Sequence, residues 1–198
     1  MANTVTEICN AALTRIGVDR ITDFAADNSI VAVRCRDNYD IARKAALRAY
    51  PWNCATKLET LPAETDAPKW RFARAFKLPD DWLRLVTIDG ERDFNKRYRI
   101  VGRLIMTEDA PSSLNIEYIF DLTNVAAMDA LVTDAIAQRL AATLAYDRTG
   151  SAGVAEDKWR VYAGMIREAR AIDAQEGSPE PFGPDPDNAP MGWLESRY

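Results

Sequence analysis

Histidine is absent from all 198 residues. Its absence removes the usual general base of serine and cysteine hydrolases. Cysteine is scarce: Cys9, Cys35 and Cys54 are odd in number and widely spaced. They form no C-x-x-C pair, so a zinc site is not expected and buried free thiols are. Neither G-x-x-x-x-G-K-[ST] nor G-x-G-x-x-G occurs, so no loop of the phosphate-cradling kind is indicated. No run approaches the roughly 18–20 apolar residues that span a bilayer, and no membrane association is expected. The start, MANTVTEICN, lacks a basic stretch leading into an apolar one and does not read as a signal peptide.

Strong positive charge is missing too. The formal net charge is −5, and residues 177–198 alone carry −3 through Glu180, Asp185, Asp187, Glu195 and Arg197. The remaining body is close to neutral, unlike a protein that reads DNA sequence through a basic face. Carboxylates are plentiful, with 30 Asp and Glu, but no pair at the spacing of a glycosidase stands out. Neither a catalytic residue nor a cofactor site is indicated.

What is present is a pattern of helix, strand and helix again. Thr4 and Glu7 form an S/T-x-x-E capping box, and Val5, Ile8, Cys9, Ala12, Leu13 and Ile16 recur at helical spacing. Gly17 stops this first helix, and Ile21 and Phe24 follow as core plugs. Asn28 or Ser29 caps a second helix to Ala49, with Ala32, Cys35, Tyr39, Ala42, Ala46 and Ala49 as a small-residue stripe. Arg34, Arg36, Arg43, Lys44 and Arg48 lie on its other face. They read either as a solvated face or, for Arg36, Arg43 and Lys44 above all, as a contact with an acidic neighbouring subunit. Pro51 ends the helix, and Trp52 after it reads as structural.

Between Trp70 and Phe120 the period becomes two, giving a small antiparallel sheet of about four strands. Val101-Gly102 reads as the turn of a tight hairpin, RYRI-VG-RLIM. Helix returns at about 126–148, with Leu131, Ala135, Ile136, Leu140 and Leu144 on one face. A fourth helix runs to about Gln175 on Trp159, Tyr162, Ile166, Ala169 and Ile172, with Trp159 as a core anchor. The expected fold is α+β: about four helices in a bundle, an inserted antiparallel sheet and an extended arm. The parts are 1–60 helical, 61–123 sheet, 124–176 helical and packed on the first, and 177–198 arm.

Several segments together resemble a known family. ICNAALTRIGVDRITDF, then ADNSIVAVRCRDNYDIARKAALRAYPWNCA, then FKLPDDWLR at 76–84, and QRLAATLA at 138–145 with the region of Tyr162 and Ala169–Ala171, follow one another as in the tail tubular protein A family. These are the head-to-tail adaptors of short-tailed bacteriophages. The resemblance covers roughly residues 4–175. It implies a virion protein of the neck, assembled in the bacterial cytoplasm as a dodecameric ring. The portal protein would sit above it, the tail nozzle or next tail component below, and DNA would pass through the lumen without being read. In that setting Phe182, Trp193, Leu194 and Tyr198 become the anchors of an arm that docks on the portal or on a neighbouring subunit. The hairpin Arg99, Ile100, Val101, Gly102 and Arg103 becomes the contact with the lower tail component. A carbohydrate-degrading tail enzyme and a small helical host regulator are the alternatives.

Overall fold

The computed structural model describes residues 4–66, 68, 70–90 and 98–176, and among these the side chains up to 169. The first helix, α1, spans Val5–Arg15. The Thr4 hydroxyl accepts from the Glu7 N–H at 3.2 Å, and the Glu7 carboxylate accepts from the Thr4 N–H at 2.7 Å, which closes the capping box. Gly17, at φ +69°, turns the chain out of the helix in a conformation that favours glycine. Helix α2 spans Ile30–Ala49, and of the two candidate caps it is Ser29 whose hydroxyl accepts from the Ala32 N–H. Its buried stripe is Ala32, Cys35, Tyr39, Ala42 and Ala46, joined by Arg43 and Leu47.

Helix α3 spans Ala130–Thr149, capped by Asp129; a 3-10 turn at Val125–Ala127 occupies the place expected for its first turn. Helix α4 spans Ala152–Glu176. At its start Leu131 lies partly exposed and Val132 takes the buried position instead. Val132, Ala135, Ile136, Ala137, Leu140, Ala141, Leu144 and Ala145 are all buried. A helix apolar on most sides must be covered on most sides. Accordingly α3 packs against α1, α2 and α4, and the alanines at 137, 141 and 145 are used inside the chain.

The strand region is larger than expected. Among the described residues it holds six strands: β1 (Thr56–Pro62), β2 (Arg74–Lys77), β3 (Trp82–Ile88), β4 (Tyr98–Val101), β5 (Leu104–Thr107) and β6 (Ser113–Phe120). They form two three-stranded antiparallel sheets, ordered β1-β6-β3 and β2-β5-β4. The expectation of one small sheet is therefore corrected, and β1 crosses the boundary expected between residues 60 and 61. Leu61, Phe76, Leu78, Ile88, Ile105, Leu114, Ile116 and Tyr118 make a second hydrophobic core from both sheets. Ile119, facing the other way on β6, belongs to the helical core. Strand β6 thus touches both cores through its alternating side chains.

Candidate interaction surfaces

The five cations of α2 are engaged within the chain. Arg43 is the clearest case: its side chain is 4% exposed and pairs with the Asp121 carboxylate. It also donates to the Leu122 carbonyl at 3.0 Å and to Asp40 at 3.2 Å. It therefore belongs neither to a solvated face nor to a surface open to a neighbour. Such a charge stays buried only because its fork geometry is matched by acceptors. Lys44 reaches the other oxygen of Asp121 at 3.5 Å. Arg36 donates to the carbonyls of Phe24 and Asp27 at 2.7 and 2.8 Å, fastening the preceding loop to α2. Arg48 donates to the Leu83 carbonyl and lies over the Trp82 ring, and Arg34 pairs with Asp147 at 3.5 Å. Apart from Asp40, their partners come from loops, β3 and α3, which no local pattern reveals.

Among the charged side chains that α2 leaves outward stand three apolar ones. Ile30, Val33 and Ile41 are exposed, Ile41 to 65%. On α4, Trp159 and Val161 are exposed as well. This corrects the reading of Trp159 as a core anchor: its ring stands at the surface, edge-on to Tyr162 at 6.0 Å, with the Arg139 guanidinium 5.2 Å from its centre. Tyr162, Ile166 and Ala169 fill the core in its place. Trp52 is buried, donates from Nε1 to the Ala46 carbonyl at 3.0 Å, and meets Tyr50 edge-on at 5.1 Å. It locks the end of α2 to the start of the strand region.

The hairpin at 98–107 differs by one residue from its expected turn. Val101 pairs with Leu104, so Gly102 and Arg103 form the loop, with Gly102 at φ +61°. A glycine at the first loop position with positive φ is the requirement of a type II′ turn. Strand alternation then separates the five residues expected to contact the tail. Ile100 pairs with Ile105 and packs toward the second core. Arg103 folds back, donating to the Pro79 carbonyl and standing 3.6 Å from Asp80. Gly102 and Arg103 stay exposed at the tip, and Arg99 and Val101 look outward from the sheet beside Met106, where Pro68, Trp70, Arg71 and Phe72 complete an apolar groove of about 430 Å³. The arm residues Phe182, Trp193, Leu194 and Tyr198 lie outside the described residues.

A polar cluster that the sequence did not announce ties β1 to β6. The Tyr118 hydroxyl lies 3.0 Å from Glu59 and 3.1 Å from Asp81, and Lys57 binds Asp81 at 2.5 Å. One hydroxyl carries one proton, so the two carboxylates compete for it while Lys57 offsets their charge. Burial raises the Asp81 pKa, but the bonds from Lys57 and Tyr118 outweigh it and hold the carboxyl below its ordinary value. Tyr118 is pushed well up, first by burial and then by bonds to Glu59 and Asp81. Tyr39 is raised to about 12, chiefly by burial. Both tyrosines hold their protons more tightly folded than unfolded. Their contribution is complete below the unfolded value of about 10 and is lost as pH rises through the folded values. Stability should therefore fall above about pH 10, and Tyr118→Phe should flatten that fall in pH-dependent urea melts while costing about 0.5–1.5 kcal/mol at neutral pH.

Among the described residues no group of three His, Cys, Asp or Glu side chains is placed to hold a metal ion, and no helix is long and apolar enough to cross a membrane. Cys9 and Cys35 are buried free thiols and Cys54 is half-buried. No protein-family model matches the chain, and no curated protein sequence does.

Proposed function

We propose that this chain is a structural virion protein, a ring-forming adaptor that joins a portal vertex to a tail and surrounds the DNA path. The observation that carries this reading is a set of exposed large apolar side chains on two different helices. Ile30, Val33 and Ile41 stand exposed among charged side chains on α2, and Trp159 and Val161 stand exposed at separate positions around α4, while both helices also pack on α3. A ring needs two different patches on every subunit, one for each neighbour, because its contacts are heterologous. Exposed β-branched and aromatic side chains on two separate helices suit that use. Each such side chain contributes about 1.5–3 kcal/mol if fully covered.

In this reading the four helices form a bundle that builds the ring wall, and the strand region is an insertion between its halves that faces the tail component. The order of motifs from ICNAALTRIG to QRLAATLA, which resembles the tail tubular protein A family, supports the same conclusion. A near-neutral body without a basic stripe suits a channel through which DNA must slide, since each neutralised phosphate would add salt-dependent grip. Size-exclusion chromatography with light scattering, with and without a cognate portal ring, tests the reading. The chain should co-elute with the portal in multiple copies; a chain that stays monomeric and separate at every ratio contradicts it.

A further inference from the structure

The groove on the second sheet has features that packing alone does not require. Register places Arg99, Met106 and Ala75 side by side on the sheet face turned away from the second core, with Val101 and Leu104 next to them. Over this face stands the segment Trp70-Arg71-Phe72. The Phe72 N–H donates to the Trp70 carbonyl at 2.9 Å across Arg71, whose φ is +69°. A three-residue turn of that hand is rare and strained, above all for a side chain other than glycine. Strain of this kind persists where the surroundings hold it in place, and it gathers at ligand clamps and switches. Here it leaves Trp70 77% exposed, at the lip of a groove whose walls are almost wholly apolar, with Arg71 and Arg99 among the lining residues.

That combination selects an occupant that is apolar, aromatic and acidic. Arginine pairs bidentately with carboxylates and stacks on aromatic faces, and an exposed tryptophan offers a platform for either a ring or a proline. One segment of this chain has this chemistry. Residues 177–198 read GSPEPFGPDPDNAPMGWLESRY, with net charge −3, five prolines, and Phe182, Trp193, Leu194 and Tyr198 as their large apolar side chains. They follow directly on Glu176, the last residue of α4. At about 3.3 Å per extended residue, 22 residues reach roughly 70 Å, ample to leave one molecule and arrive on the next.

We propose that the groove formed by Trp70, Arg71, Phe72, Arg99, Val101 and Met106 is a docking seat for residues 177–198 of a second copy of this chain. The arm is then a subunit-to-subunit strap, not a portal grip. The prolines narrow the unbound arm's conformations and so lower the entropy lost on docking. Holding two bodies together by a second contact makes the arm's docking effectively intramolecular, so a weak seat suffices. The proposal needs a second copy of the chain and neither a portal nor a tail.

The test uses the full chain with a photo-reactive amino acid in place of Trp193, prepared in isotopically heavy and light forms and mixed. Irradiation should join position 193 of one copy to residues 68–72 or 98–106 of the other, giving heavy–light products. The pair Arg71→Glu and Arg99→Glu should cut that yield at least ten-fold, with an unchanged melting temperature to show that the fold survives. Adding Asp185→Arg and Asp187→Arg in the arm should restore it. Cross-links to other surfaces, products within one copy only, arms diverted to an added portal ring, no cross-link, or a yield that ignores the arginine changes would each overturn the seat. Portal co-elution, measured on the same samples, separates the two claims. Cross-linking lost with co-elution intact removes the seat and leaves the adaptor, and the reverse removes the adaptor and leaves the seat.

Discussion

Asp121→Ala is expected to destabilise the protein by about 3–5 kcal/mol, the cost of leaving a buried charge without its partner. Asp121 accepts from Arg43 and sits 3.5 Å from Lys44, and its own N–H donates to the Asp81 carbonyl at 2.7 Å. The residue follows directly on β6, whereas Arg43 lies in the last third of α2, so the pair fastens the strand region to the helices. After the change Arg43 keeps the Leu122 carbonyl and Asp40, whose side chain is 72% exposed and a weak counter-charge. At about 2–4 °C per kcal/mol for a chain of this size, the melting temperature should fall by roughly 6–20 °C. Lys44→Met, which removes the half-exposed partner of the same carboxylate, should cost no more than about 1 kcal/mol. The double change Arg43→Met with Asp121→Leu should lose less than Asp121→Ala, because no unpaired charge remains. Thermal melts of the three variants decide it, and equal losses for Asp121→Ala and Lys44→Met would contradict the account.

The second large effect is on assembly. Ile41→Asp places a carboxylate on the outward side of α2, between Asp37 and Lys44, where it stays solvated in the monomer. Surface substitutions of this kind usually change stability by no more than about 0.5 kcal/mol. In a ring the same carboxylate is buried at every α2 contact, and an uncompensated interfacial charge costs several kcal/mol there. Each 1.4 kcal/mol is a factor of ten in association, repeated at each junction. The expected result is a monomer that melts as the parent does and gives no ring on a portal. Rings at normal yield would show that this surface is not a subunit contact.

Local chemistry was legible in the sequence where a cap or a stripe is complete within a few residues. Thr4 with Glu7, Ser29, Gly17 and the run from Ala32 to Ala46 all stand where their spacing places them. Strand β1 was not legible, and its register shows why. Lys57, Glu59 and Leu61 pair with Tyr118, Ile116 and Leu114, so two of the three inward positions are charged, while Leu58 points outward and is 82% exposed. The inward charges are satisfied by Asp81 and Tyr118, from 24 and 59 residues away, and no window along the chain contains that partnership. Arg43 was misleading for the same reason, since its carboxylate lies 78 residues further on. The outward placement of Trp159 follows from Tyr162 and Ile166 taking the buried side of α4, a choice of rotation that a stripe with aromatic residues on both edges leaves open.

The surfaces were the least legible part. A single chain's periodicity marks what faces a core, and a side chain such as Ile30 or Ile41 that faces a partner breaks the period in the same way as a tolerated exposed residue. Only the folded arrangement shows which of them stand exposed. The groove beneath Trp70 arises likewise where the turn at 70–72 meets the β4–β5 hairpin, which lies further along the chain.

Electron microscopy of the parent chain mixed with a cognate portal ring is the most direct test of the central claim. The account predicts a closed ring of this protein seated on one end of the portal around an open channel, with α2 of each subunit against α4 of the next. Portal particles bare at both ends, beside unassembled single chains, would contradict it.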